Sequence, residues 1–144
     1  MYNQKFLVIK IMKSKSNLTY LCHETHYFQK DHSILSITLF GTLQIKNSRI
    51  FEHCCEQILK SASKWVILNF RDVTPKIDPE FIPLVHQLFH SIRIRPARIL
   101  LSGVHPQLKQ VFQEKNLAHP EEFTNNLADA LNKLPQVDTL LNKI

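Results

Sequence analysis

The run at positions 65–70, WVILNF, is the feature that most constrains the fold. Large and β-branched side chains fall on both faces of this segment, and Asn69 is its only polar residue. A strand that is apolar on both faces has to be covered on both sides, which is typical of a central strand in an α/β sheet. A loop over 71–77 and an apolar helix beginning beside Pro79 are predicted to follow.

Strand and helix patterns alternate on either side of this run. Two weaker strand patterns at 5–12 and 17–28, joined by a polar turn at 13–17, precede an alternating strand that leads to a turn or bulge at Gly41. Asn47 or Ser48 is predicted to cap a helix ending near Ser63. A strand at 97–101 and helices at 106–115 and 124–134 follow. This order predicts an α/β fold with a mixed sheet of about four to five strands and amphipathic helices packed against it.

Length and composition indicate one folded domain, since the chain has 144 residues, of which 44% are hydrophobic and 21% charged. We divide it into an N-terminal extension of residues 1–19 that contributes an extra strand, a domain of residues 20–134, and a C-terminal tail of residues 135–144. No apolar run approaches the roughly 20 residues of a membrane-spanning helix, and no secretory signal is expected. Three cysteines, with Cys54 and Cys55 adjacent, favour reduced thiols and a cytoplasmic protein.

The formal charge of +6 raises the question of nucleic-acid binding. Lysines and arginines are spread along the chain without interleaved aromatic residues, so we predict a solvated basic surface and no nucleic-acid partner.

Residue types that could carry catalysis or bind a metal lack the companions they need. His86 and His90 lie four residues apart on a predicted helix, but Gln87 occupies the place where a zinc-protease helix carries its glutamate. Strand alternation would scatter the cluster Cys22, His23 and His26 over two faces. We therefore predict no metal site.

Two further features argue against catalysis. Cys54 and Cys55 fall in a predicted buried helix, where thiols usually act as small hydrophobic residues. A glycine-rich phosphate loop is excluded because the chain has only two glycines, Gly41 and Gly103. We predict that the protein has no cofactor and is not an enzyme.

Four units follow one another at characteristic distances: ILSITLFGTL at 34–43, WVILNFRDVTPKID at 65–78, the helix after it, and LLSGVHPQLKQVFQEKNL at 100–117. Together they resemble the STAS family, named for sulfate transporters and anti-sigma factor antagonists. Leu43 follows Gly41 at the family spacing, and the pair Ile77-Asp78 matches the isoleucine and aspartate of the family's signalling loop. Asn69 replaces the usual aspartate of the central strand.

The resemblance implies a position for a phosphorylation switch that this chain lacks. In the antagonist branch of the family, the serine directly after the loop aspartate is phosphorylated by a partner kinase that is also an anti-sigma factor. That position is Pro79 here, followed by Glu80 and Phe81. Because proline has no hydroxyl, residue 79 cannot be phosphorylated. Asp78 and Glu80 place two carboxylates at a helix start, where they either mimic a phosphate or only cap the helix.

The resemblance implies a non-enzymatic module of bacterial transcription signalling that works through protein–protein interaction. Its expected partner is a kinase-type anti-sigma factor or another STAS protein. Association with further copies of the same chain is a remaining alternative. The expected partner-binding residues, with Phe81 as an exposed anchor, are Thr74, Asp78, Pro79, Glu80, Phe81 and Ile82. The alternatives are a STAS subunit of a stressosome-type or lipid-transport assembly, and a regulator that binds a nucleotide or another small ligand.

Overall fold

A computed structural model describes residues 33–61, 63–95 and 97–134, together with the backbone of two N-terminal strands. The strands are β1 Phe6–Ile9, β2 Leu21–Phe28, β3 Ile34–Leu43, β4 Trp65–Ile77, β5 Arg98–Ser102 and β6 Phe123–Thr124. The helices are α1 Ser48–Lys60, α2 Ile82–Ile94, α3 Pro106–Glu114 and α4 Leu127–Asn132.

The strands form one mixed sheet in the order β1-β2-β3-β4-β5-β6. The first three strands pair antiparallel, and β3 to β6 pair parallel through connections that contain the helices. The mixed α/β architecture is therefore confirmed. In the described part of the chain the sheet has six strands, whereas four to five were predicted. The two-residue β6 was not anticipated. Two residues are too few to show an alternating pattern.

Helices cover both faces of the sheet, as the apolar run at 65–70 predicted. The side chains of α1, α2 and α3 pack with Val66, Leu68 and Phe70 in the main core. On the other face, Ala130 of α4 packs with Trp65. None of the described helices is both long and apolar enough to span a membrane.

The central strand β4 is longer than predicted, because residues 71–77 continue the strand instead of forming a loop. This half of β4 pairs with the end of β3, where Gly41 lies opposite Val73 and Leu43 opposite Ile77. Register shifts on both sides of Gly41 absorb the extra residues of β4. Gly41 has a φ of 121°, a backbone conformation that favours glycine. The predicted irregularity therefore falls at this glycine, but the bulged residues belong to β4 and not to β3.

One helix cap and two helix boundaries differ from the predictions for local reasons. Asn47 precedes α1, but its side-chain Nδ2 donates to the Thr42 carbonyl at 2.7 Å and does not cap the helix. α1 ends at Lys60, before Ser63, where the Arg95 guanidinium donates to the Ser61 carbonyl at 3.0 Å. α4 begins only at Leu127 because residues 123–124 belong to β6.

Part of the predicted organisation lies outside the described residues. This applies to the polar turn at 13–17 and to the tail of residues 135–144. The strand expected in the N-terminal extension is β1, which pairs with β2. The division of the chain after residues 19 and 134 stays a prediction.

Candidate functional site

Two loops lie side by side at the carboxyl ends of the parallel strands. The Asp78 loop, residues 77–82, follows β4 and leads into α2, and the β3–α1 loop, residues 44–47, follows the neighbouring strand. Loops at this edge of an α/β sheet are where binding residues usually collect, because rigid strands position them. The predicted partner-binding residues lie in the last part of β4, in the Asp78 loop and at the start of α2, and their binding role stays a prediction.

Asp78 links these two loops. Its backbone N–H donates to the Leu43 carbonyl at 2.9 Å, and its Oδ2 accepts from the Ile45 backbone N–H at 3.0 Å. The side chain makes no capping bond to the following turn, so the interpretation of Asp78 as a helix cap is wrong. Its carboxylate binds an amide on the adjacent loop because the parallel pairing of β3 and β4 brings both loops together.

Phe81 lies in the core and is not the exposed anchor that the sequence predicted. It is fully buried, and its ring meets Phe51 of α1 edge to face with the centroids 4.8 Å apart. A short 3₁₀ turn at Pro79–Phe81 opens α2 and directs Phe81 towards the main core, while Pro79 and Glu80 remain exposed. The anchor role of Phe81 is thus excluded by burial, and its place is structural.

Ile45 is an exposed apolar residue that the sequence reasoning missed. It retains 44% of its accessible surface and lies beside Asp78, whose carboxylate binds its amide. From the sequence, an isoleucine just before a helix pattern is expected to be a buried core residue. Only its exposure in the structure marks Ile45 as a candidate contact residue. We define the Asp78 surface as Ile45 together with the accessible members of the predicted set, which are Thr74, Asp78, Pro79, Glu80 and Ile82.

Thr74 is the hydroxyl residue of the Asp78 surface. It is half-buried, and its Oγ1 lies 3.2 Å from the Oγ1 of Thr42 on β3. This contact joins the far halves of β3 and β4 just below the two loops. Thr74 therefore has a role in strand pairing whether or not a partner contacts it.

A buried polar row below the Asp78 surface explains why asparagine suits position 69. Asn69 Nδ2 donates to Thr38 Oγ1 at 3.3 Å, and its Oδ1 accepts from Ser102 Oγ at 3.2 Å and from the Arg71 N–H at 3.1 Å. Thr38, Asn69 and Ser102 sit at paired positions on β3, β4 and β5. An amide both donates and accepts, so it satisfies neutral partners in a site that is 8% exposed without burying a charge.

The cysteines of α1 are poor nucleophiles. Burial, together with the neighbouring Cys55, raises the pKa of the Cys54 thiol well above its usual range. Burial and the charge of Glu52 raise the pKa of Cys55 to about 12. Since the thiolate is the reactive form, both side chains act as packing groups in the structure.

Alkylation should reveal this protection. In a Cys22→Ser variant, we expect iodoacetamide at pH 8 to modify Cys54 and Cys55 at least about a hundredfold more slowly than a free thiol, because so little thiolate is present. Unfolding in guanidinium chloride should make both sites react, which provides the internal control. Mass spectrometry of the labelled peptides measures the rates. Rapid native labelling of Cys55 would contradict the assigned environment.

The two histidines of α2 are exposed, and their rings lie parallel with the centroids 6.2 Å apart. Within the described residues, no three side chains of the metal-binding types come together. The side chains of Cys22, His23 and His26 lie outside the description, so that cluster is not tested.

The bond between Asp78 and Ile45 gives a direct test of the loop geometry. We expect Asp78→Ala to lower the free energy of unfolding by about 1 kcal/mol, because an accessible charge-assisted hydrogen bond is lost. Asp78→Asn should recover most of this loss because its side-chain oxygen still accepts. Urea unfolding measures the stability, and faster hydrogen exchange at the Ile45 amide should accompany the alanine change. An unchanged Ile45 exchange rate in Asp78→Ala would show that the bond does not hold the loop.

Comparison with known proteins identifies the fold. No protein-family model matches the chain, and no curated protein matches it in sequence. The solved structure of the anti-sigma factor antagonist SpoIIAA in its unphosphorylated form superposes with a TM-score of 0.58 and 21% identity, covering 72% of this chain and 90% of that one.

Two further structures agree. Bacillus SpoIIAA in its phosphorylated form matches with a TM-score of 0.57 and 19% identity, covering 71% of this chain and 91% of that one. A sulfate transporter family protein from Wolinella succinogenes matches with a TM-score of 0.63 and 18% identity, covering 74% and 88%. The element order, the mixed sheet and these superpositions together show that the chain has a STAS-like fold.

Proposed function

We propose that this chain is a non-enzymatic, cytoplasmic regulatory module that binds a protein partner through the Asp78 surface. The observation that supports this most is the Asp78–Ile45 bond, which holds two loops together at the carboxyl edge of the sheet. These two loops carry the exposed Ile45 on one side and the exposed Pro79 and Glu80 on the other. An apolar centre with a charged rim on a rigid base is the usual anatomy of a protein-binding site.

We propose further that this surface carries a fixed negative charge in place of a phosphorylation switch. Pro79 is exposed but has no hydroxyl, and the neighbouring Glu80 carboxylate is also exposed. A phosphoserine would carry a charge of about −1.5 to −2, of which one carboxylate supplies part. The two SpoIIAA forms support the analogy, since that antagonist is known with and without its phosphate.

Co-purification followed by mass spectrometry tests the surface. We expect Ile45→Asp and Glu80→Lys to lose a partner that the wild-type chain retains, since one removes the apolar contact and the other reverses the charge. Glu114→Lys is the matched control, because it makes the same charge change at an exposed position on α3. Recovery of the same proteins with all three variants would contradict the assignment of this surface.

The identity of the recovered partner separates the candidate functions. A kinase-type anti-sigma factor, or another STAS protein of a signalling pathway, would support the antagonist-like role. Subunits of a stressosome-type or lipid-transport assembly would instead favour the accessory-subunit alternative. Stabilisation by a nucleotide or another small ligand, without any protein partner, would favour the ligand-binding regulator.

Restoring the phosphoacceptor tests the switch position itself. With a kinase-type anti-sigma factor in hand, the double change Pro79→Ser and Glu80→Ser should allow phosphorylation at residue 79, whereas the wild-type chain should give none there. Adding Thr74→Val to the double variant removes the neighbouring Thr74 hydroxyl, so that phosphate on residue 79 is not confused with phosphate on residue 74. No phosphate on residue 79 would show that the surrounding surface does not fit such a kinase.

A further inference from the structure

The exposed side of α2 carries a pair of histidines that the proposed function does not use. His86 and His90 lie four residues apart, so they are neighbours on the same side of the helix. Both side chains are exposed, and their rings lie parallel with the centroids 6.2 Å apart. Histidines with this helical spacing can bind one transition-metal ion together, because their ring nitrogens reach the same point above the helix.

The spacing of the two rings is close to what one metal ion requires. With a Zn–N bond of about 2.0 Å, two imidazoles on a tetrahedral zinc ion have their centroids about 5 Å apart. The pair is therefore about 1 Å too wide for a bound ion. Since both side chains are exposed, rotation about their side-chain bonds can close this gap without moving the backbone.

One chain supplies only half of the ligands that such an ion takes. Zinc in structural sites is almost always four-coordinate. Among the described residues, no third side chain of a metal-binding type joins the pair. α2 itself has neither aspartate nor glutamate. Complete coordination by protein side chains therefore needs ligands from a second molecule.

The surface around the pair suits contact with a second copy of the chain. α2 has no lysine, and its one arginine, Arg93, is paired with Glu122. Depletion of charged residues is typical of the centre of a protein interface. Because the chain has a formal charge of +6, two copies repel each other least where such charges are absent. The exposed side of α1 differs, since it carries Arg49, Glu52, Glu56 and Lys60.

Ile94 gives this side of α2 an apolar contact. It retains 71% of its accessible surface and lies one turn beyond His90. Pro83 is also exposed and lies on the same side of the helix, before His86. Along the helix axis, both are at similar distances from the midpoint of the histidine pair. When two copies of α2 pack antiparallel about a twofold axis through that midpoint, Ile94 of each copy meets Pro83 of the other.

We propose that His86 and His90 form one half of a site for a divalent transition metal such as zinc, and that the same pair of a second copy completes it. Four imidazoles then surround the ion, and Ile94 and Pro83 flank it as apolar contacts. The second copy supplies the companion ligands that these histidines lack within one chain. The site uses no residue of the Asp78 surface, so it is independent of the proposed partner binding.

Size-exclusion chromatography with light scattering tests the site on the full-length chain at neutral pH. We expect zinc to double the molar mass of the wild-type protein and EDTA to reverse the change. His86→Ala and His90→Ala should each weaken this association at least about tenfold, because each copy then loses a ligand. His53→Ala, which removes an exposed histidine of α1, is the matched control and should dimerise like the wild type.

A further variant tests the apolar contact beside the ion. Ile94→Lys should also weaken the zinc-dependent association, because it places a positive charge of each copy in the contact. All the replaced side chains are exposed, so the variants should keep the wild-type stability in urea unfolding.

Three results would overturn the proposal. The first is an unchanged molar mass of the wild-type protein at saturating zinc. The second is a zinc-dependent doubling that persists in both His86→Ala and His90→Ala, which would place the ion on other ligands. The third is a wild-type dimer that EDTA does not dissociate, since its contact would then not depend on a metal.

Discussion

Replacing Phe81 with alanine is expected to lower the free energy of unfolding by about 3–5 kcal/mol, the range for removing a buried aromatic ring. Phe81 is fully buried and packs edge to face on Phe51, so the change removes both apolar burial and an aromatic contact between α1 and the start of α2. The cavity would lie directly beneath the Asp78 surface. Urea unfolding followed by circular dichroism measures the effect.

The neighbouring residues provide the controls for Phe81. Pro79→Ala and Glu80→Ala change exposed side chains in the same turn and should alter stability by less than about 0.5 kcal/mol. Phe81→Leu, which retains much of the buried volume, should recover part of the alanine loss. If Phe81→Ala were as stable as Glu80→Ala, Phe81 would be exposed after all, and its role as a partner anchor would be open again.

Replacing Arg93 with methionine is expected to cost about 2–3 kcal/mol. The guanidinium makes a bidentate ion pair with the Glu122 carboxylate, in which Nε lies 3.1 Å from Oε2 and Nη2 lies 2.6 Å from Oε1. Nη2 also donates to the Leu117 carbonyl at 2.8 Å. The side chains are only 27% and 13% exposed, so the bond is screened less than a surface pair. Loss of Arg93 leaves the Glu122 carboxylate largely buried and without its cation.

A double-mutant cycle isolates this ion pair. We expect Arg93→Met and Glu122→Ala to be destabilising singly and clearly less than additive together, with a coupling energy of about 1–2 kcal/mol. The coupling should persist in 0.5 M salt because the pair is shielded, whereas an exposed pair would be screened. Strictly additive losses would mean that each residue acts through its other contacts. For Glu122 these include the His119 N–H, at 2.8 Å from Oε1.

Local patterns predicted the layered fold because the spacing of apolar residues in each strand and helix shows which of its faces is buried. The run at 65–70 indicated a covered central strand, and its side chains do pack on both faces of the sheet. The buried residues of α2, which include Val85, Leu88 and Phe89, recur with the 3.6-residue period of a helix. Residues 71–77 were misread as a loop because charged residues and Pro75 interrupt the apolar pattern there, whereas pairing with β3 makes this half of β4 a strand.

The candidate site was likewise predicted only in part from the sequence. Sequence placed the Asp78 loop at the start of a helix but could not show which side of the turn faces the core, and so it misjudged Phe81. It also assigned the Asp78 carboxylate to the nearest amides along the chain. The structure gives that carboxylate to Ile45, which is 33 residues away.

The sequence by itself determined the alternation of strands and helices and the absence of a hydroxyl at Pro79, because periodicity and side-chain chemistry belong to the residues themselves. Only the tertiary structure decided that Asp78 joins two loops, that Phe81 is buried while Ile45 is exposed, and that Arg93 binds Glu122. Each of these depends on groups that are distant in the chain and become neighbours only when the parallel strands pair and the helices pack on the sheet.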